Sequence, residues 1–296
     1  MANAITLAKQ FVPILDEIYK LASLTAKLDG NPELARAGAN ANELIIPKLS
    51  MQGLGDYSRN GGYVSGDVTL TNETVNCNFD RGRMFTVDYM DNLETAGIAF
   101  GRLAGEFIRT KVVPELDAFR FATYAGITGI SKIAAGATLA DGAAAVSALR
   151  AGTNKMDEDE VPTEDRHLFI TPTLYGMIQD MDTTKSREIL ARFADITLVP
   201  QTRFYTAITQ YDGSTSGEEA GGYIKDATNG LDINFMIIHK SAVIQYEKHV
   251  APKIITPELN QTGDAYKFGY RNVGIADAYE NKVAGIYLHH KAKSST

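Results

Sequence analysis

The chain has 296 residues, 44% of them hydrophobic, which is enough for one large domain or two ordinary ones around a sizeable core. Its 29 basic and 36 acidic residues leave a net charge of −7, which argues against a sequence-specific nucleic-acid-binding domain, since such domains are usually basic. The single cysteine, Cys77, excludes an intramolecular disulfide, no apolar run approaches the roughly 20 residues of a membrane span, and no signal peptide precedes the first helix. We therefore expect a protein made in a reducing cytoplasm, without a membrane partner.

An amphipathic helix is predicted over residues 3–28, where apolar side chains recur at spacings of three and four. Pro13 suits a position near the helix start, and the run Asp29-Gly30-Asn31-Pro32 ends the helix. The apolar stripe needs a partner surface. Two interpretations stay open: an arm that docks elsewhere, and a helix packed on its own domain.

Residues 43–88 predict a long two-stranded ribbon. A short extended piece and a glycine-rich stretch are followed by apolar–polar alternation, a turn and a further strand, at residues 44–47, 53–62, 64–79, 80–83 and 84–88. Because an isolated two-stranded ribbon is marginal in water, this ribbon must lie on something. It covers either a neighbouring subunit or its own domain.

The strongest helix signal covers residues 91–125, with Pro114 expected to kink or split the helix. Gly97, Gly101 and Gly105 lie four residues apart on one stripe. A glycine inside a helix costs about 1 kcal/mol relative to alanine, so the stripe favours a close approach of another backbone. Charged residues in the same segment exclude a membrane span.

Residues 126–249 alternate between helix and strand, which predicts a compact α/β or α+β unit. Its expected elements are a helix at 140–150, an acidic loop at 156–160, a strand at 167–171, a helix at 172–181, a strand at 196–199, a loop at 210–222 and a strand at 231–238. Extended segments follow at 253–256, 265–275 and 283–289. The arrangement is discontinuous, because an early helix and late strands flank the compact middle part.

No motif in the sequence indicates catalysis. None of the five histidines stands in a metal-binding pattern, and the pair His289-His290 points to opposite faces of a strand. Cys77 alternates with Val75 and Phe79 and behaves as a small apolar residue. The run from Asp180 lacks the glycine and glutamate of a calcium loop, and the glycines of 53–62 form no P-loop. We expect no catalytic site, no metal and no cofactor.

Five runs, taken together with the order of the parts, resemble the major capsid proteins of tailed double-stranded-DNA bacteriophages, whose fold encapsulins resemble. The runs are 87–91 (VDYMD), 106–117 (EFIRTKVVPELD), 255–258 (ITPE), 266–271 (YKFGYR) and 281–287 (NKVAGIY). The resemblance implies an α+β fold divided into an N-terminal arm (1–42), an extended β-hairpin loop (43–90), a peripheral domain with a long spine helix (91–125 and 250–296) and a compact α/β axial domain (126–249).

The same resemblance implies a structural protein that self-assembles, as hexamers and pentamers, into the icosahedral head of a phage. The implied partners are further copies of the chain, a scaffolding protein separate from this chain, a portal protein, and packaged double-stranded DNA held non-specifically. The acidic balance suits a shell whose DNA must later leave. The implied location is the virion, with assembly in the cytoplasm of the host bacterium.

Ten residues are predicted to make assembly contacts: Arg59, Gly61, Gly62, Arg81, Arg83, Gly97, Gly101, Gly105, Glu106 and Arg109. Replacing Gly61 and Gly62, or shortening the ribbon, should block shell formation and leave the monomer folded. Three rival interpretations are an encapsulin-like compartment, a hydrolase with carboxylates distant in sequence, and a tail or surface-layer protein.

Overall fold

The structure, a computed structural model, describes residues 23–30, 36–37, 43–94 and 98–293. Most of the predicted N-terminal helix lies outside these ranges, and only its end can be compared. There, Ala26–Leu28 form a single turn of 3-10 helix. Leu28 is fully buried in the subunit's own core, so the end of this segment packs on its own domain.

The predicted ribbon is present as the antiparallel pair β2 (Glu43–Met51) and β3 (Val68–Asn76), to which the structure adds a short third strand, β1 (Arg36–Ala37). Strand β1 pairs with β2, and β2 pairs with β3. The β2–β3 pairing runs without a register shift from Glu43 opposite Asn76 to Met51 opposite Val68. Residues 52–67 therefore form the ribbon's tip.

The turn expected at residues 80–83 is wrong, because these residues lie inside strand β4 (Phe79–Asp88). The chain leaves the ribbon at Asn78 instead, whose side-chain amide donates to the backbone oxygen of Ala276 at 2.7 Å and whose Oδ1 accepts from the Ala276 amide at 3.1 Å. The absence of a side chain at Gly82 lets β4 pack closely on its neighbouring strand, since a Cβ there would lie 2.8 Å from the backbone oxygen of Tyr270.

The long helix is present in segments: α1 (Tyr89–Glu94), α2 (Ile98–Phe107) and α3 (Val113–Gly126). A π-helical stretch, Ile108–Val112, joins α2 to α3. Pro114 stands in the first turn of α3 and cannot donate to the carbonyl of Thr110, so the wider π turn accommodates it. The irregularity expected from Pro114 therefore falls on the turn before the proline.

The middle of the chain and the last strand, β13 (Ile286–His290), build a central sheet in the order β5-β13-β10-β6-β7, covered by helices. In chain order its elements and the small hairpin beside it are β5 (Ser131–Lys132), α4 (Gly142–Glu158), β6 (Arg166–Ile170), α5 (Pro172–Asp180), α6 (Thr184–Leu190), β7 (Asp195–Leu198), β8 (Ile208–Gln210), β9 (Tyr223–Lys225) and β10 (Ile233–His239). β6 runs parallel to β7 and antiparallel to β10.

The acidic loop expected at 156–160 is wrong in its first half, because α4 continues to Glu158. The Asp141 side chain caps α4 by accepting from the Ala144 amide at 2.8 Å. At the far end Met156 is fully buried, and Asp157 makes an ion pair with Arg166 at 2.7 Å. The run of charges alone indicated a loop here. The buried Met156 and the ion-paired Asp157 stabilise a helix instead.

Strands β11 (Val243–Ile255) and β12 (Ala265–Ala278) form a peripheral sheet with β4, in the order β11-β12-β4. One face of this sheet packs against the helical segments through Phe79, Leu116 and Phe268, among others. The remaining helical turns are short 3-10 segments at Gln201–Arg203, Lys240–Ala242, Pro257–Leu259 and Glu280–Gly285.

The last strand, β13 (Ile286–His290), belongs to the central sheet, where it pairs with β10. This placement differs from the expectation that the strands after residue 250 all flank the long helix. All five of its residues are buried, which suits a strand covered on both faces. Within the described ranges, none of the helices combines the length and the apolar composition that crossing a membrane requires.

Candidate assembly surface

The ribbon has two different faces, because side chains alternate along each strand. On one face, Ile46 and Val75 are buried against Ile244, Tyr246 and Ile275. On the same face, further towards the tip, the Lys48 ammonium pairs with the Glu280 carboxylate. The base of the ribbon therefore sits on its own subunit, and the ribbon projects from there.

The opposite face of the ribbon is apolar and open. Leu49 stands opposite Leu70, and Met51 opposite Val68, so the four side chains share one face as two adjacent cross-strand pairs. Their exposed fractions are 52%, 67%, 65% and 68% respectively. A contiguous group of large exposed apolar side chains is typical of an interaction surface.

The tip of the ribbon is a defined turn. Ser58 and Gly62 exchange backbone hydrogen bonds of 3.2 and 2.8 Å, and the Gly61 amide donates to Ser58 Oγ at 3.1 Å. Gly62 has a φ of +74°, a conformation that favours glycine. Arg59 is exposed in this turn. The tip itself carries further large exposed apolar and aromatic side chains: Leu54, Tyr57, Tyr63 and Val64.

Arg81 and Arg83, two of the predicted contact residues, bind within their own subunit. The Arg81 guanidinium donates to Glu115 of α3 at 2.8 Å and to the backbone oxygen of Tyr211 at 2.7 Å. Arg83 donates to the backbone oxygens of Glu219 and Ala220 at 2.8 and 3.2 Å. Together they tie β4 to the loop of residues 211–222.

The remaining predicted contact residues lie on or near α2. Gly97 lies outside the described residues, Gly101 is in α2, and Gly105 is half-buried there. Glu106 pairs with Arg109 three residues later at 2.7 Å, and both side chains are well exposed. Among the described residues, no hydrogen bond or ion pair joins Glu106 or Arg109 to the ribbon tip. The part of this group in assembly stays a prediction.

Sequence reasoning named none of the four residues of the open face as contact residues: Leu49, Met51, Val68 and Leu70. The signal was present, because Leu49-Ser50-Met51 alternates as Val68-Thr69-Leu70 does. What the alternation could not show is which side of the ribbon the subunit itself covers. That is decided by the docking of Ile46 and Val75 on a strand far away in sequence.

The described residues contain no group of three or more side chains suited to hold a metal ion. A shallow open depression of about 800 Å³ is lined by Ser131, Lys155 and Asp159, among others. Lys155 donates to Asp159 at 2.6 Å, and this hydrogen bond lowers the pKa of the Asp159 carboxyl. A carboxylate held ionised in this way is poorly suited to act as a general acid.

The histidines of the last strand have separate, structural partners. His289 Nδ1 lies 3.0 Å from Asn234 Nδ2, and the ring stacks on Phe235 with centroids 4.9 Å apart. His290 Nδ1 instead lies 2.8 Å from the backbone oxygen of Lys291. Burial lowers the pKa of His289 to about 4, so its imidazole is neutral at pH 7.

Comparison with known proteins rests on the fold. No family model matches the sequence, and no curated protein matches it. Solved structures do match over most of its length. A structure of Mycobacterium phage Che8 aligns with a TM-score of 0.60 at 14% identity, covering 90% of both chains. The chain has the phage capsid fold.

Two further structures support this conclusion. The capsid of Myoviridae phage XM1 aligns with a TM-score of 0.57 at 14% identity, over 90% of both chains. A virus-like particle from Pyrococcus furiosus aligns with a TM-score of 0.57 at 12% identity, over 95% of this chain and 98% of that one. The predicted α+β capsid fold is thereby confirmed, and at such low identity the likeness concerns the fold.

Proposed function

We propose that this protein is the major capsid protein of a tailed bacteriophage, which assembles with its own copies into the icosahedral head. The observation that carries the proposal is the open apolar face of the ribbon, Leu49, Met51, Val68 and Leu70, on a chain with the phage capsid fold. A monomer gains nothing from exposing these side chains, whereas a neighbouring copy can cover them. No catalytic role is assigned.

Hydrophobic burial supplies the driving force for assembly in this proposal. Covering side chains that are a half to two-thirds exposed contributes about 1–2 kcal/mol each. The charged residues of the surface, among them Arg59 and the Glu106–Arg109 pair, set the register between copies more than the strength of their contact. Each copy donates one ribbon and receives another, so weak contacts add up over a closed shell.

The proposal includes the division of labour along the chain. The central unit, predicted at 126–249 and here taken together with β13, gathers at five-fold and six-fold centres. The long helix and the peripheral sheet form the body between them, and the ribbon lies over the adjacent subunit. The partners are further copies as pentamers and hexamers, a separate scaffolding protein, a portal protein and double-stranded DNA held non-specifically. The assembled protein resides in the virion, after assembly in the cytoplasm of the host.

A double variant tests the ribbon's part in assembly. Leu49→Ser with Leu70→Ser should abolish shells and leave a folded subunit, as read by electron microscopy and by circular dichroism. The matched control, Thr69→Ser with Thr71→Ser, changes exposed residues on the opposite face of the same strand and should assemble normally. Replacement of Gly61 and Gly62 should also block assembly. Normal shells from the leucine variant would refute this role of the ribbon.

An encapsulin-like compartment is the alternative that shares this fold. The phage capsids among the structural neighbours favour a genome shell. The content of shells purified from the native host decides between the two. Packaged double-stranded DNA supports the proposal, whereas a protein cargo without DNA supports the compartment.

A further inference from the structure

Residues 23–30, called the clamp below, lie across three parts of the subunit. They contact α3 through Asp117, β11 through Gln245, and the central sheet through the ion pair of Lys27 with Asp195 of β7. Leu28 is fully buried in the cluster that holds Phe121 of α3. One short segment thus links elements that come from distant parts of the sequence.

Asp117 is the seat of the clamp, meaning the side chain that accepts its hydrogen bonds. Its carboxylate is fully buried and accepts from Ser23 Oγ at 2.9 Å, from the Leu24 amide at 3.1 Å and from Thr25 Oγ1 at 2.9 Å. Arg203 of the central unit also donates to it, at 3.3 Å. A buried carboxylate needs such donors, so the clamp completes the solvation of Asp117.

Thr25 connects Asp117 to a second buried charge. Its hydroxyl donates to Asp117 and accepts from Arg120 Nη1 at 2.8 Å, and Arg120 also binds Glu247 of β11 at 3.2 Å. Thr25, Asp117 and Arg120 are all almost fully buried. The clamp therefore inserts a hydroxyl between two buried charges of α3.

On the other side of the clamp, Gln245 fixes its course. The Gln245 amide donates to the Thr25 backbone oxygen and to Asp29 Oδ1, both at 2.7 Å, and its backbone oxygen accepts from the Gly30 amide at 3.1 Å. Tyr124 of α3 donates to Gln245 Oε1 at 2.7 Å, so the amide nitrogen must face the clamp.

The clamp ends beside the base of the ribbon. A Cβ at Gly30 would lie 2.8 Å from the hydroxyl of Tyr246, which shows how closely the two pack. Tyr246 belongs to the same buried cluster as Ile46 and Val75 of the ribbon. The position of the clamp and the direction of the ribbon are therefore coupled through one side chain.

We propose that residues 23–30 act as a clamp that fixes the direction of the ribbon relative to the central sheet, with Asp117 as the positioning residue that seats it. Since the ribbon is the part that reaches a neighbour, the clamp sets the angle at which copies join and hence the curvature of the shell. The last step rests on the proposed function. The seat itself is a property of the single subunit.

Two variants test the clamp in the full-length chain. Asp117→Asn replaces an acceptor oxygen by a donor facing donors, and Thr25→Val removes the bridging hydroxyl without altering α3. In both, hydrogen exchange of the unassembled subunit should become at least tenfold faster over residues 23–30 and stay unchanged in β6 and β10. Thr163→Val, at an exposed position, is the matched control and should leave exchange unchanged.

The shells provide the second measurement. We expect the wild type to form shells of one diameter and the two variants to form shells of a broader range of diameters, by electron microscopy. Unchanged hydrogen exchange over residues 23–30 would overturn the role of Asp117 in holding the clamp. Faster exchange with wild-type diameters would overturn the link to curvature. A wild type that forms no shells, even when a scaffolding protein is added, would overturn the proposed function, and the exchange data would still report on Asp117.

Discussion

Two arginine–carboxylate pairs of this subunit differ in burial and therefore in their contribution to stability. Arg81 and Arg109 are both arginines close to a carboxylate, yet Arg81 joins Glu115 and a loop carbonyl in a partly buried site, whereas Arg109 meets Glu106 in solvent. An exposed pair contributes little to stability, because water already solvates both charges. Arg109 is therefore the freer of the two to meet another copy.

The buried histidines make the subunit sensitive to acid. Burial lowers the pKa of His289 from 6.5 to about 4 and also lowers the pKa values of His167 and His239. As the pH falls below 6.5, the unfolded chain binds protons that the folded chain does not. The free energy of unfolding should then decrease, by up to about 1.4 kcal/mol per pH unit for His289.

Urea denaturation of the unassembled subunit between pH 6.5 and 5 measures this dependence. The variant His289→Phe keeps a ring beside Phe235 and cannot titrate, so its stability should fall less steeply than that of the wild type. His249→Gln, at an exposed histidine, serves as the control and should follow the wild type. Parallel curves for His289→Phe and the wild type would contradict the role assigned to His289.

At the scale of elements, the apolar pattern predicted the strands and helices whose own residues show which side chains are buried. The strand at Arg166–Ile170 and the helix opened by Pro172 were both predicted from their own residues. The turn predicted at 80–83 is part of a strand instead, because Gly82 packs closely against the backbone of Tyr270 on β12. Such long-range contacts leave no local signal in a sequence.

Helix α4 illustrates the same principle and allows a paired test. A Cβ at Gly152 would lie 2.9 Å from the Tyr287 ring, which is itself buried, whereas a Cβ at Gly176 of α5 would meet nothing within 4 Å. We expect Gly152→Ala to lower the free energy of unfolding by about 1 kcal/mol, since overpacking outweighs the gain in helix propensity.

The control is Gly176→Ala, which should raise the free energy of unfolding by up to about 1 kcal/mol through helix propensity alone. Thermal or urea denaturation of both variants compares the two directly. If both glycines gave the same sign, the close packing of α4 on β13 would be wrong.

For the whole molecule, the sequence predicted that the ribbon needs a covering surface but not which face is left over. The subunit buries the Ile46 face against β11, and this leaves Leu49, Met51, Val68 and Leu70 uncovered. The clamp escaped prediction for a similar reason, since Asp117 and Thr25 are 92 residues apart. Both features arise from tertiary packing, and in the proposed function both determine how copies of the chain meet.

In the proposed function, this chain builds a closed shell from its own copies. Negative-stain electron microscopy of the purified chain, alone and with a scaffolding protein from the same phage genome, tests it most directly. We expect closed round shells, or pentamers and hexamers that close when scaffold is added. A uniform monomer under all these conditions would contradict it.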